Sequence, residues 1–258
     1  CSKRYNKVAY LTTHNAYNTK DDGFKLPNQE WNISTQLKYG VRALMFDVYE
    51  ESDELVVYHG FKILGSKPFI EVLNEIREFM EENPKEVVTI ILECYVNSNQ
   101  IASEIEDSGL SKYLYTKNKH ENWGTLKEMI DDNTRLVVFS DKNDAEVGQE
   151  WYHYMWDFAV ETHYANHNLK DFNNDFNRGK ENAETKDLVI LNHFLTKTIT
   201  GVGSIQKSKK ANSILVDRIN TFHAVTGRFP NFITVDFVDI GNVKEVIDCL
   251  NGSTKICH

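Results

Sequence analysis

Apolar runs in this 258-residue chain repeatedly end in a side chain able to move a proton or hold a cation: His14 and Asn15, Asp47, His59, Glu93, Asp141, Glu161, His193 and Asp236. A lone histidine after a strand is ordinarily a turn residue or a satisfied one. Three histidines and five carboxylates in the same relation to their runs ask for one place where they meet. Such a set suits general acid and base catalysis by two imidazoles, assisted by a group that neutralises anionic charge. Phosphodiester cleavage needs those parts: one imidazole takes a proton from the attacking hydroxyl and another gives one to the leaving oxygen. His14 and His59 are the natural pair. Asn15, Asp47 and Glu93 offer oxygen donors, which suit calcium or magnesium better than zinc.

The elements that must position these groups follow from periodicity. The runs "KVAYLTT", "RALMFDV", "ELVVYHG", "EVVTIILE", "RLVVFSD", "WDFAVET", "DLVILNH" and "FITVDF" read as strands. In "PFIEVLNEIREFMEENP", Phe69, Val72, Leu73, Ile76, Phe79 and Met80 keep helical spacing, Pro68 suits a first turn and Pro84 a stop. Helical patterns also fit 28–38, 125–131, 205–226 and 243–250. "VVTIIL" and "LVIL" are apolar at every position, as strands buried on both faces of a parallel sheet must be. Eight such strands with helices between them predict a (β/α)8 TIM-type barrel, irregular or hairpin-like after the second strand, where Glu50 to Glu54 is too short for a helix. In that fold the carboxyl ends of the strands share one mouth, so the residues named above converge there. "YANHNLKDFNNDFNRGKENAE" reads as a polar loop.

Composition narrows the function. A net charge of −9, from 38 acidic against 29 basic residues, argues against a nucleic-acid partner, whose phosphates would be repelled. No window carries the 18 or more apolar residues of a helical membrane span. Cys1, Cys94, Cys249 and Cys257 form no zinc pattern. Cys249 and Cys257 are spaced to close a disulfide, and two free thiols fit equally well. A cysteine at position 1 also suits a lipid-anchored N-terminus.

Lesser signals have plainer readings. His163 and His167 stand four apart in Asn-rich surroundings that argue for a loop, not a metal-binding helix. "GVGS" at 201–204 is a helix entry, and no GxSxG is present. Asp53 and Glu54 belong to a solvated turn, His193 to the core or to the support of the site. Arg42, at the start of its strand, is structural. Trp151, Tyr152, Tyr154 and Trp156 read as core packing, with the Trp156 ring placed to stack on a sugar or inositol face. Lys142 and Lys197, just beyond strand ends, are the cations available for substrate phosphates, which favours an unphosphorylated ring. The sequons at Asn32 and Asn251 matter only in a eukaryotic secretory host.

The segments "THNAY", "QLKYGVRALMFDV", "YHGFKILGSKPFIEVLNEI", "NPKEVVTIILECY", "RLVVFSD", "WYHYMWDF", "LNHFLT" and "NFITVDFVDIG" resemble, in order and spacing, the phosphatidylinositol-specific phospholipase C X-domain family, in particular its small single-domain bacterial and plant-type members. The resemblance implies one catalytic barrel over 1–258 of the phospholipase-C-like phosphodiesterase type. It implies His14 as the first catalytic histidine, His59 as the second, and Asp236 as the carboxylate that orients the first. Asn15, Asp47 and Glu93 fall on the calcium-ligand positions of calcium-dependent members. Those members carry a glutamate two residues before Asp47, where this chain has Met45, on the same strand face as Asp47. Calcium is therefore expected to bind weakly. Calcium-independent members place an arginine at the Asp47 position, which this chain lacks. The implied activity is cleavage of inositol phospholipids or related glycolipids to a cyclic inositol phosphate and diacylglycerol. It would take place outside the cell or at its surface, on a membrane met transiently, by a monomer. Two rival readings remain: a barrel acting on glycerophosphodiesters or other lipid phosphodiesters, and a catalytically weak module that binds inositol phosphates or membranes.

Overall fold

In the strand reading VTIILEC, every side chain except Glu93 is buried, which is what a stave covered on both faces requires. The computed structural model describes residues 2–197 and 203–252. Its strands are β1 (Tyr10–Thr13), β2 (Ala43–Glu51), β3 (Glu54–Val57), β4 (Lys67–Pro68), β5 (Val88–Cys94), β6 (Leu136–Ser140), β7 (Tyr152–Tyr154), β8 (Ala159–Thr162), β9 (Phe176–Arg178), β10 (Leu188–Asn192) and β11 (Phe232–Val235). The helices are α1 (Ile33–Tyr39), α2 (Phe69–Glu82), α3 (Ser98–Asp107), α4 (Leu126–Asp131), α5 (Met155–Phe158), α6 (Ile205–Asn212), α7 (Leu215–Thr226) and α8 (Val243–Leu250).

Parallel pairing runs β8–β10–β11–β1–β2–β5–β6–β7. This is the strand succession of the expected TIM-type barrel. Its two path ends, β7 and β8, are bridged by the short α5 packed against both. The irregularity falls where "ELVVYHG" was expected to supply a stave: β3 instead turns back antiparallel on β2 and carries β4 as a hairpin arm. The missing stave is β7, from the aromatic run around Trp151. Three aromatic residues carry neither an alternating nor an all-aliphatic signature, so the run reads as packing.

Two further expectations change. The helix expected over 28–38 begins at Ile33, capped by the Asn32 side chain, which accepts from the Thr35 amide. The helix expected over 205–226 is broken at Ser213–Ile214 into α6 and α7. α2 buries the six apolar residues its spacing marks and ends before Pro84. Truncating Leu73 there would cost about 2–5 kcal/mol. Cys94 is a buried free thiol and Cys249 is disulfide-bonded. The readings that fall on Cys1, Cys257, Ser253 and residues 201–202 lie outside the described residues, while Ser204 of "GVGS" does cap α6, accepting from the Lys207 amide.

One apolar cluster fills the space between sheet and helices; a second, including Tyr10, Ala43, Ile91, Phe139 and Ile190, fills the barrel itself. The strand period of two then decides what stands above that floor. Counting upward from Ala43, Ile91, Phe139, Ala159 and Ile190, the inward positions become Asp47, Glu93, Asp141, Glu161 and Asn192.

Candidate active site

Those residues, with His14, Asn15 and His59, line a cavity of about 280 Å³ at the carboxyl ends of the strands. His14 follows β1 and its amide is still tied to the Val235 carbonyl at 3.1 Å. Asn15 then takes a left-handed backbone (φ 45°), a conformation asparagine tolerates better than most residues, and this turn leaves the His14 ring over the barrel. The His14 Nδ1 lies 2.9 Å from Asp236 Oδ1, and Phe194 stacks face to face on the imidazole at 3.9 Å and 7°. His59 approaches from the hairpin arm, its Nδ1 3.0 Å from Asp47 Oδ2. A carboxylate accepting at Nδ1 makes Nδ1–H the donor and leaves Nε2 for chemistry in both rings. The two ring centres are 6.3 Å apart with planes crossed at 74°, so one small tetrahedral group can reach both within two hydrogen-bond lengths of about 3 Å.

The charges around His59 favour its protonated form. Burial pulls His59 toward the neutral form, but the Asp47 hydrogen bond and the charges of Asp47, Asp236 and Glu93 outweigh it, and its pKa is raised. Asp47 and Glu93 are direct neighbours across β2 and β5. Glu93 opens into the cavity, yet desolvation by the walls and the Asp47 charge raise its carboxyl despite the Tyr95 hydroxyl, which donates to it, and Arg178. Burial likewise raises Asp141, whose Oδ1 accepts from the Cys94 amide at 2.9 Å. Tyr49 is pushed up to about 12, by burial first and then by Asp47 and Glu93.

Negative charge beside Asp47 and Glu93 is thus incompletely compensated. With the amide of Asn15 in the same wall, the donor set fits a hard divalent cation in type. Met45 lines the same cavity with a thioether, which brings no charge. Among the described residues, no group of three or more His, Cys, Asp or Glu is arranged to hold a metal.

Other expected residues divide. Trp156, His167 and Lys197 line the cavity. Lys142 does not: its Nζ donates to the Val96 carbonyl at 2.7 Å and faces Asp144, so it ties a loop outside the cavity. His163 accepts from the Ala165 amide on an exposed loop. Arg42 bonds Glu86 and the carbonyls of Leu37 and Val41 at the far barrel end, as its position predicts. His193 points outward, its Nε2 donating to the Ala211 carbonyl at 2.7 Å; strand parity assigns the mouth to Asn192 instead.

The group that sequence reasoning missed is Arg178. The supposed polar loop contains β9, antiparallel to β8, which brings its guanidinium into the cavity. There it lies over the rings of Trp156 (4.9 Å) and Tyr164 (4.7 Å) and grips Glu161 through Nε and Nη2, the latter at 3.0 Å. Glu161, 2% exposed, also accepts from Asn192 Nδ2 at 3.0 Å. A three-residue strand in a polar run has no periodic signal to find.

Relatives of the chain were identified at three levels. The family described as PI-PLC X 1 matches residues 1–251. A PI-PLC X domain-containing protein of Arabidopsis thaliana is 30% identical, aligned over 96% of this chain and 62% of its own length. An uncharacterized secreted protein of Arthroderma benhamiae is 27% identical over 95% of this chain and 60% of its own. The chain therefore spans about three-fifths of the length of these two relatives. Among solved structures, the phosphatidylinositol-specific phospholipase C of Listeria monocytogenes superposes with a TM-score of 0.63 at 19% identity, over 99% of this chain and 96% of that one. One from Staphylococcus aureus does so at 0.68 and 13%, over 98% and 94%. At these identities the likeness establishes the barrel.

Proposed function

The chain belongs to the PI-PLC X (phosphatidylinositol-specific phospholipase C X-domain) family, and from that premise we propose that its barrel is a phosphodiesterase or lyase acting on inositol phospholipids or related glycolipids. The observation that carries this reading is the pair His14 and His59, each held by a carboxylate at Nδ1 and both facing one cavity with their centres 6.3 Å apart.

In the proposed reaction His14 Nε2 takes the proton of the inositol 2-hydroxyl, whose oxygen bonds to the adjacent phosphorus. The bond from phosphorus to the diacylglycerol oxygen breaks, and His59, whose surroundings favour its protonated form, gives that oxygen its proton. A cyclic inositol phosphate and diacylglycerol result. Asp236 holds His14 in the tautomer that accepts at Nε2 and stabilises the imidazolium as it forms. Asn15, Asp47 and Glu93 would hold a hard cation, weakly because Met45 contributes no charge; when bound, it would neutralise phosphate charge. Trp156 and Arg178 form the wall that would receive the head group.

Phe61 and Ile63, two and four residues after His59, are 71% and 79% exposed, which supports docking of this rim on a lipid surface. The secreted fungal relative supports a site of action outside the cell. The test is phosphorus NMR of the products formed from inositol-lipid vesicles and, separately, from a glycerophosphodiester. A cyclic phosphodiester from the lipid is expected; turnover of the glycerophosphodiester alone would reject the reading.

A further inference from the structure

Resting on the roles given to His14 and Asp236 above, we propose that Asn28 is a positioning residue for the reaction: its one amide aims Asp236 at His14 and turns the oxygen of Asn15 toward the cavity. Asn28 is fully buried in the stretch before α1. Its Nδ2 donates to Asp236 Oδ1 at 3.0 Å, the same oxygen that His14 Nδ1 reaches at 2.9 Å. Its Oδ1 accepts from Asn18 Nδ2 at 2.6 Å and from Asn15 Nδ2 at 3.3 Å. With its nitrogen so engaged, Asn15 is left with its oxygen as the free end of an amide that lines the cavity.

Asp236 has little else to fix it. Among the described residues, its Oδ2 is buried without a hydrogen-bond partner. Gly203 packs so closely on that side that a Cβ there would come within 2.1 Å of the oxygen. The rotation of the carboxylate therefore depends on the two donors at Oδ1, and one of them is the histidine it must orient. Asn28 is the other, and it is anchored independently. Its amide reaches the Asn18 carbonyl at 2.8 Å, and its carbonyl accepts from the Phe237 amide at 2.8 Å. The neighbouring Gln29 completes the staple: Nε2 donates to the carbonyls of His14 (2.9 Å) and Val235 (3.0 Å), and Oε1 accepts from the Val238 amide at 3.1 Å. Where the ladder between β1 and β11 stops, these two side chains continue it.

The experiment compares Asn28→Ala and the near-isosteric Asn28→Leu, which has no donor in any protonation state, with the wild-type chain by steady-state kinetics and by proton NMR of the His14 Nδ1–H bridging to Asp236. We expect kcat to fall about 10- to 100-fold with KM within about twofold, the usual effect of removing a group that orients a reacting one. The bridging proton should move or broaden. Asn18→Ala, which loses a bond to the same amide but none to Asp236, should keep kcat within about threefold and leave that resonance in place. Should Asn28→Ala not fold, Asn28→Leu decides. Folded variants with wild-type kcat and an unmoved resonance would overturn the proposal, as would a loss of thermal stability alone. A wild-type chain that does not cleave inositol lipid would instead reject the functional reading, and the resonance would then decide the positioning by itself.

Discussion

Replacing His193 by glutamine should remove one of two buried-histidine contributions to the chain's sensitivity to acid, His153 supplying the other. The His193 ring is fully buried, stacked on Phe172 at 5.0 Å, with Nε2 donating to the Ala211 carbonyl and Nδ1 without a partner among the described residues. Burial, helped by the nearby Arg218 charge and opposed by the Ala211 bond, lowers its pKa from 6.5 to about 4. The unfolded chain therefore binds a proton between those values that the folded chain refuses, and stability falls as pH drops from about 6.5 to about 4 while staying level above. At about 1.4 kcal/mol per pH unit the full gap is worth about 3 kcal/mol, and about 2–3 kcal/mol of it is lost by pH 4.5. That is a sizeable fraction of the 5–15 kcal/mol typical of a domain. Glu93 and Asp141, whose pKa values are raised, act in the opposite sense, so the quantity to read is the difference between variant and wild type. Urea unfolding followed by circular dichroism at pH 7.5, 6.0 and 4.5 supplies it. His193→Gln, which keeps an N–H for Ala211, should lose about 2–3 kcal/mol less than wild type over that range. Equal losses in the two proteins would refute the reasoning.

Three further outcomes follow from the cavity and its rim. Arg178→Lys keeps the charge but not the fork or the planar stack between Trp156 and Tyr164, so KM for inositol lipid should rise about tenfold with a smaller change in kcat; unchanged kinetics would remove Arg178 from the head-group wall. Calcium titrated into chelator-treated protein should raise activity only at high concentration, since Asn15, Asp47 and Glu93 bring two negative charges; full activity without divalent ions would return these residues to a hydrogen-bonded scaffold. Phe61→Ala with Ile63→Ala should weaken sedimentation with lipid vesicles at least about tenfold while leaving hydrolysis of a water-soluble substrate unaltered, and undiminished vesicle binding would place the membrane contact elsewhere.

The strongly periodic parts of the chain were legible. The buried strand over Val88–Cys94, the helix over Phe69–Glu82, the convergence of His14, Asp47, His59 and Glu93 on one cavity and the place of Asp236 behind His14 follow from hydrophobic period and barrel geometry. Parity was also there to be used: alternation along Leu188–Asn192 sends Asn192 inward and His193 outward, a distinction that position at a strand end does not make. What stayed hidden lacks a period. Tyr152–Tyr154 is too short and too aromatic to declare itself a stave. Arg178 sits in a run of asparagines and charges whose fold is set by its partners Glu161, Trp156 and Tyr164, all distant enough that no local pattern links them. Asn28 resembled the start of a helix because its tertiary partners Asp236 and Phe237 lie at the other end of the chain.

The division of labour between the two histidines is tested most directly by leaving-group rescue. Wild type, His14→Ala and His59→Ala are compared on an inositol phosphodiester with an alkyl leaving group and on one with p-nitrophenol, whose oxygen departs without a proton. On the alkyl substrate each variant should lose about two to four orders of magnitude in turnover, the range expected for a general acid or base. On the nitrophenyl substrate His59→Ala should recover most of that loss, whereas His14→Ala should recover none, because the attacking hydroxyl still needs its base. Rescue of His14→Ala in place of His59→Ala would reverse the assignment, and wild-type rates in both variants on the alkyl substrate would contradict two-histidine catalysis altogether.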